Sequence, residues 1–186
     1  AQQDKTNNNS VVYSQTGKEA IPANSVAEVF QMPVADPTSV DIEKQFYDVN
    51  GSSQEQQAAL VNYNNTYQQS TGVDIAAKDG KSFTVTASMS GTVEKAKKVS
   101  LLGYVVILKH KNGVETYYES LNSIAVKTGD QVSQGDILGE AGRDEYDKSV
   151  GIHLHFEIRK DGMPVDPVAY FKKDISSLSD ITKTSS

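Results

Sequence analysis

The sequence predicts a mainly β fold: an antiparallel sheet domain with a glycine-rich β-arch, one short N-terminal helix and flexible termini. Three observations carry that prediction. Gly151-Ile152-His153-Leu154-His155-Phe156-Glu157-Ile158-Arg159 alternates strictly, so on a strand Leu154, Phe156 and Ile158 share a buried face while His153, His155, Glu157 and Arg159 share the other. From Ala58 onward, short runs rich in β-branched and aromatic residues are separated by turn residues, the pattern of an all-β domain. Between Val126 and Gly142, glycines recur at close intervals among Val, Ile and Leu, which describes a tight arch that wraps back on itself. At 186 residues the chain suits one domain plus extensions and is long enough to bury a core.

Taken in order, residues 1–20 are rich in Gln, Asn, Ser, Thr and Lys and read as a linker, with little to bury beyond Val11, Val12 and Tyr13. Residues 25–34 read as an irregular strand on the domain edge, since Pro33 has no N–H to give a central ladder. Thr38 or Ser39 is placed to cap a short helix to about Tyr47, with Ile42 and Phe46 one turn apart. Strands are expected over 59–63, 72–76, 82–87 and 91–97, with a turn at Asp79-Gly80. Tyr104–His110 and Val114–Tyr118 flank Asn112-Gly113, a pair suited to positive φ at both turn positions, and so form a hairpin with Val106 opposite Glu119 and Val105 opposite Ser120. Asp161-Gly162 gives a second tight turn, and Pro164 and Pro167 end the sheet. The chain thus divides into an acidic stalk over 1–57 bearing the short strand and helix, a β domain over 58–171, and a Ser/Thr-rich tail over 172–186.

The net charge of −6 is unevenly placed: residues 1–57 hold eight Asp/Glu against three Lys, whereas 58–173 hold fourteen of each sign. No basic surface is available to neutralise phosphates, which disfavours nucleic acid as a partner. No apolar run approaches the roughly 20 residues that span a bilayer. The chain opens on Ala1 without a signal pattern, so it reads as a processed or excised ectodomain whose N-terminal membrane anchor is not part of this chain. Cysteine is absent, excluding disulfides and thiolate metal sites.

Two of the three histidines sit two apart on the alternating strand, a spacing that suits a metal or a proton relay. The strand alone leaves open a half-exposed surface that merely carries two imidazoles. His110 reads as a solvent-exposed residue at the hairpin tip. The glycine-spaced arch occurs in lipoyl-type domains as well as in β-sheet hydrolases, and no Met-Lys or Asp-Lys tip is present for a lipoyl carrier.

Over residues 58–171 the order of these pieces resembles the LytM-like, lysostaphin-type zinc endopeptidases of bacterial cell walls. The resemblance rests on Gly72-Val73-Asp74-Ile75-Ala76, Thr116-Tyr117-Tyr118-Glu119-Ser120-Leu121, the arch, and His153-Leu154-His155-Phe156-Glu157-Ile158. It implies that Asp74 and His155 occupy zinc-ligand positions and His153 a catalytic one. It also implies that Ser70 stands at the remaining zinc-ligand position and Ser120 at the other catalytic histidine position. A neutral hydroxyl is a poor zinc ligand, so the expectation is a pseudo-enzyme with no cofactor.

Within that family the chain is similar to degenerate members of endospore formation, on Ala58–Tyr67, Leu102-Gly103-Tyr104-Val105-Val106, Ser120 and His155–Gly162. This implies a non-catalytic extracytoplasmic domain of a forespore membrane protein, lying between forespore and mother cell. It would bind stage III sporulation protein AH across that space, joining the two membranes in engulfment and contributing to an intercellular channel or an oligomeric ring. The alternative is a zinc-dependent wall endopeptidase or a peptidoglycan-binding module with an unusual ligand set. The hairpin Tyr104–Leu121, by adding a partner strand, and the charged stretch Arg143–Lys148 are the first places to expect a partner.

Overall fold

Period-two alternation places one face of each strand on a common core, and the order of strands brings distant parts of the chain to one side of it. The computed structural model describes residues 27–179. Its strands are Val40–Lys44 (β1), Leu60–Tyr63 (β2), Thr66–Gln69 (β3), Val73–Ala77 (β4), Thr84–Thr86 (β5) and Gly91–Val99 (β6). They continue with Gly103–Lys109 (β7), Val114–Ile124 (β8), Gln131–Val132 (β9), Ile137–Ala141 (β10), Leu154–Lys160 (β11) and Met163–Val165 (β12). One antiparallel sheet runs β1-β4-β11-β8-β7-β6-β9, with β10 joining β8 to β5 and β12 beside β11; β2 and β3 pair only with each other. The mainly β, antiparallel architecture is as the sequence predicts.

Val73, Ile75, Val106, Leu108, Tyr118, Leu154, Phe156 and Ile158 point to one side and are fully buried. Burying a large apolar side chain contributes on the order of 1.5–3 kcal/mol, so this face decides the register of β4, β11, β8 and β7. The polar residues between them are thereby turned to the opposite face, where the cleft lies.

Four expectations need correction. Residues 40–44 are a strand: Val40 and Ile42 lie opposite Ala77 and Ile75, and burial against the sheet overrides a weak helical pattern. Thr38 and Ser39 instead sit in a 3₁₀ turn capped by Asp36, and the one short α-helix, Ser53–Ala58 (α1), starts at a capping box of Ser52 and Glu55. The Asn112-Gly113 turn forms, with φ of 58° and 68°, yet Val106 lies opposite Tyr118 rather than Glu119. Val114 N–H closes the turn on Lys111 C=O while Val114 C=O accepts from His110 N–H, so two residues oppose one and the register moves by one.

His110 is buried: Nδ1 donates to Ser90 C=O at 2.8 Å and Nε2 lies 2.8 Å from the Thr116 hydroxyl, which is 3.0 Å from that of Tyr118. Its pKa is lowered, chiefly by burial. Finally, the domain overruns both expected boundaries. Phe30, Val34 and Val40 belong to the core, and Leu178 in the 3₁₀ turn Ile175–Leu178 is fully buried. Phe30 N–H donates to Lys173 C=O, and Lys172 N–H to Phe30 C=O, so the two ends of the described chain are laced together. The linker expected over 1–20 and the last seven tail residues lie outside the described residues. Among the described residues no helix is long and apolar enough to cross a membrane.

Candidate functional site

Backbone register sets the site. On β11, His155 stands directly opposite Asp74 of β4 on one side and Glu119 of β8 on the other. Because Val73 and Ile75 are drawn into the core, Asp74 between them faces away from it. Gly72 enters this strand against β11: a Cβ there would meet the Phe156 carbonyl oxygen at 2.2 Å, so only glycine permits the approach. The result is a cleft of roughly 230 Å³ walled by Gln68 and Gln69 of β3 and by the loop carrying Asp144, Tyr146 and Asp147. Ser70, Asp74, His153 and His155 all line it, whereas Ser120 is not among the lining residues.

His155 is held between two carboxylates: Nδ1 is 2.6 Å from Asp74 Oδ1 and Nε2 is 3.0 Å from Glu157 Oε1. Ionised carboxylates only accept, so both ring nitrogens carry hydrogen and the ring is an imidazolium. Burial opposes that charge, but the hydrogen bonds and charges of Asp74 and Glu157 outweigh it and raise the pKa well above the usual histidine value. Reciprocally, burial pushes the two acids up while His155 pulls them down further: Asp74 is lowered, and Glu157 falls to about 2. Glu157 also accepts from Thr71 Oγ1 at 2.5 Å and from Arg159 Nε at 2.6 Å, and the Arg159 guanidinium lies 4.2 Å from the centre of the Tyr117 ring. Asp74, His155, Glu157 and Arg159 thus form a chain of alternating charge that sums to zero. Glu119 is raised, mainly by burial.

His153 is fully buried; Nδ1 donates to Gly151 C=O at 3.0 Å and Nε2 lies 3.6 Å from Asp144 Oδ2, too far for a hydrogen bond. Its pKa is raised: burial lowers it, and Asp144 and Asp74 more than offset that. Asp74 Oδ2 and His153 Nε2 are buried without hydrogen-bond partners. Ser70 spends its hydroxyl on Gly72 C=O at 2.9 Å. Ser120, at φ 65°, is fully buried and donates to Gly142 C=O at 3.2 Å.

These donors do not fit a catalytic zinc. Asp74 and His155 are bonded to each other, and a catalytic zinc needs a third protein ligand beside two such groups. Ser70 faces its own turn, and among the described residues no group of three or more His, Cys, Asp or Glu side chains is placed to share a metal ion.

Sequence reasoning finds the His153–Arg159 face and Asp74, but not Lys44, Thr71, Glu119, Asp144 or Asp147. Lys44 Nζ donates to Leu60 C=O at 3.0 Å and forms a buried ion pair with Asp147, binding β1, the β2–β3 hairpin and the Asp144 loop together. The charged stretch 143–148 therefore has a structural half: Asp144 and Asp147 are buried, and Tyr146 packs on Tyr63 with ring centres 5.7 Å apart. No local pattern joins Lys44 to a partner 103 positions away; Glu119 was legible, one residue past the core-facing Tyr118.

The profile described as peptidase family M23 matches residues 68–167. Stage II sporulation protein Q of Bacillus subtilis (strain 168) is 45% identical over 160 residues, 86% of this chain and 56% of that protein, so the chain spans little more than half the length of this relative. A solved structure described as the SpoIIQ-SpoIIIAH pore forming complex superposes with a TM-score of 0.82 at 46% identity, covering 84% of this chain and 99% of that one. The catalytic domain of lysostaphin from Staphylococcus simulans shares the fold, with a TM-score of 0.52 at 23% identity over 72% of this chain and 92% of that one.

Proposed function

Since the chain belongs to peptidase family M23, we propose that it uses that family's fold without its catalysis, as an extracytoplasmic interaction module of endospore formation. In this reading it binds stage III sporulation protein AH across the space between forespore and mother cell. It thereby helps to hold the two membranes together during engulfment and to build a channel complex. The observation that carries the proposal is Ser70, which stands where the family resemblance calls for a zinc ligand and spends its hydroxyl on Gly72 C=O. The likeness to stage II sporulation protein Q, and to a solved complex containing it, supplies the partner. Ser70 and Ser120 stand at the lost ligand and lost histidine positions, and both hydroxyls are engaged with backbone carbonyls.

The test is a titration of this chain with the extracytoplasmic domain of stage III sporulation protein AH, run beside a cleavage assay on cross-linked wall peptides with zinc supplied. The proposal expects saturable binding and no cleavage. Cleavage above the metal-free control contradicts it.

A second reading is favoured by one observation, the two unpartnered buried atoms Asp74 Oδ2 and His153 Nε2 facing a retained cleft. It makes the cleft a peptidoglycan-binding groove. Retention on insoluble peptidoglycan, lost on competition with soluble wall peptides, supports it, and passage without retention removes it.

A further inference from the structure

We propose that the cleft beside Asp74 binds a primary ammonium group carried on a short alkyl chain. The inference goes beyond partner binding and needs only that the cleft be open to a ligand. Buried polar atoms are almost always hydrogen-bonded, and each exception calls for a reason. Two exceptions line this one cleft: Asp74 Oδ2 and His153 Nε2, on side chains only 2% and 1% exposed. Ligand sites are built this way, with a few polar groups held ready by the fold and left without an internal partner.

The charges around these atoms do not cancel. Asp74, Glu119, Asp144, Asp147 and Glu157 all line the cleft. Asp147 is paired with Lys44, and Asp74 and Glu157 are balanced by His155 and Arg159. Asp144 and Glu119 are left. Asp144 Oδ1 accepts from Asp147 N–H at 2.8 Å, while its Oδ2 stands 3.6 Å from His153 Nε2. Glu119, opposite His155 on β8, has no hydrogen bond or ion pair among the described residues. Even with His153 counted as a cation, one negative charge stays unmatched. A cationic ligand supplies the match.

The form of the cation follows from the acceptors and the walls. Among the described residues no three acids or histidines are placed to share one metal ion. An ammonium makes no such demand: its three N–H donors turn about a single bond and reach carboxylates through hydrogen bonds of about 2.7–2.9 Å. Asp74, Asp144 and Glu119 offer one acceptor to each donor. Val61, Leu102 and Tyr146 form an apolar part of the wall, against which a methylene stem can lie while its charged head meets the acids. The volume of roughly 230 Å³ is below the roughly 300–1,000 Å³ of pockets that enclose a whole small molecule, so the cleft takes a chain end. The ligand is therefore an aminoalkyl group, borne by a peptide side chain or by a free alkylamine.

The experiment titrates this chain with n-butylammonium chloride and follows backbone amide shifts by NMR, with 1-butanol and tetramethylammonium chloride as controls of equal stem and equal charge. Saturable shifts at Asp74, Glu119, Asp144 and His153 are expected with butylammonium, and binding of either control should be weaker by roughly tenfold or more, because each lacks the charged N–H donors. Glu119→Gln and Asp144→Asn should each weaken Kd by roughly tenfold; Asn keeps an oxygen for Asp147 N–H, and Glu119 has no bond to lose, so the fold stands in both. Circular dichroism checks that. Nα-acetyl-lysine amide binding more tightly than butylammonium assigns the site to a peptide side chain, and the reverse order to a free amine. Equal shifts with tetramethylammonium reduce the effect to diffuse charge, equal shifts with butanol to an apolar slot, and full affinity in either variant places the cation elsewhere; each overturns the inference. Retention on peptidoglycan without amine binding also overturns it while leaving the groove reading intact, whereas amine binding without retention leaves the inference and removes that reading.

Discussion

At His155 two carboxylates and one imidazolium balance charge through direct hydrogen bonds. The sign of the pH dependence follows. Its folded pKa lies above 6.5, so its contribution to stability is complete below pH 6.5 and is lost as pH rises through the folded value. Asp74 and Glu157 run the other way: their contributions are complete above the ordinary carboxylate range and are lost as pH falls, for Glu157 toward about 2. His155→Gln leaves Asp74 buried without its bonded cation and Glu157 with Arg159 alone, and should cost about 3–5 kcal/mol near pH 6. Urea midpoints across pH should show the gap between wild type and variant narrowing above pH 6.5; a gap that widens there contradicts the imidazolium. At this scale the sequence was partly legible. His153, His155, Glu157 and Arg159 share a face because of alternation alone. That Asp74 bonds the ring directly depends on β4 lying beside β11, which pairs residues 81 positions apart.

Elements were legible where their pattern is local and misplaced where pairing decides. β11 follows from Leu154, Phe156 and Ile158. The helix expected over 38–47 is a strand because Val40 and Ile42 gain more against β4 than one marginal helical turn offers. The true helix start, Ser52 with Glu55, was in the sequence as a capping box. The hairpin turn was legible, and its register was not, because the bulge at His110–Lys111 follows from His110 being drawn inward to Ser90 and Thr116. The approach of β4 to β11 carries its own prediction. Gly72→Ala places a Cβ against backbone, which cannot yield as a side chain tip does, and should destabilise by about 1–3 kcal/mol. A calorimetric melting temperature equal to wild type would show that the strands separate at no cost.

Across the whole molecule, the boundaries drawn from composition at 58 and 171 fall inside the domain. Phe30, Val34, Val40 and Leu178 are core residues, and residues 29–30 pair with 172–174. Acidic, polar sequence around so few apolar residues looks like a stalk until the far end of the chain supplies its partners. A fragment over 58–171 should therefore lose cooperative unfolding, whereas 27–179 should melt in one sharp transition; equal cooperativity by circular dichroism would restore the shorter boundary.

In the proposed reading the molecule is a family M23 fold in which the His155 imidazolium takes the place of a metal. The ring nitrogens of His155 test this most directly, by ¹⁵N NMR at pH 7.5 before and after one equivalent of Zn²⁺. Protons on both nitrogens, with shifts unchanged by zinc, are the predicted result. A single protonated nitrogen would contradict the imidazolium, and a resonance that moves with stoichiometric zinc would mean that Asp74 and His155 hold a metal; either result contradicts the account.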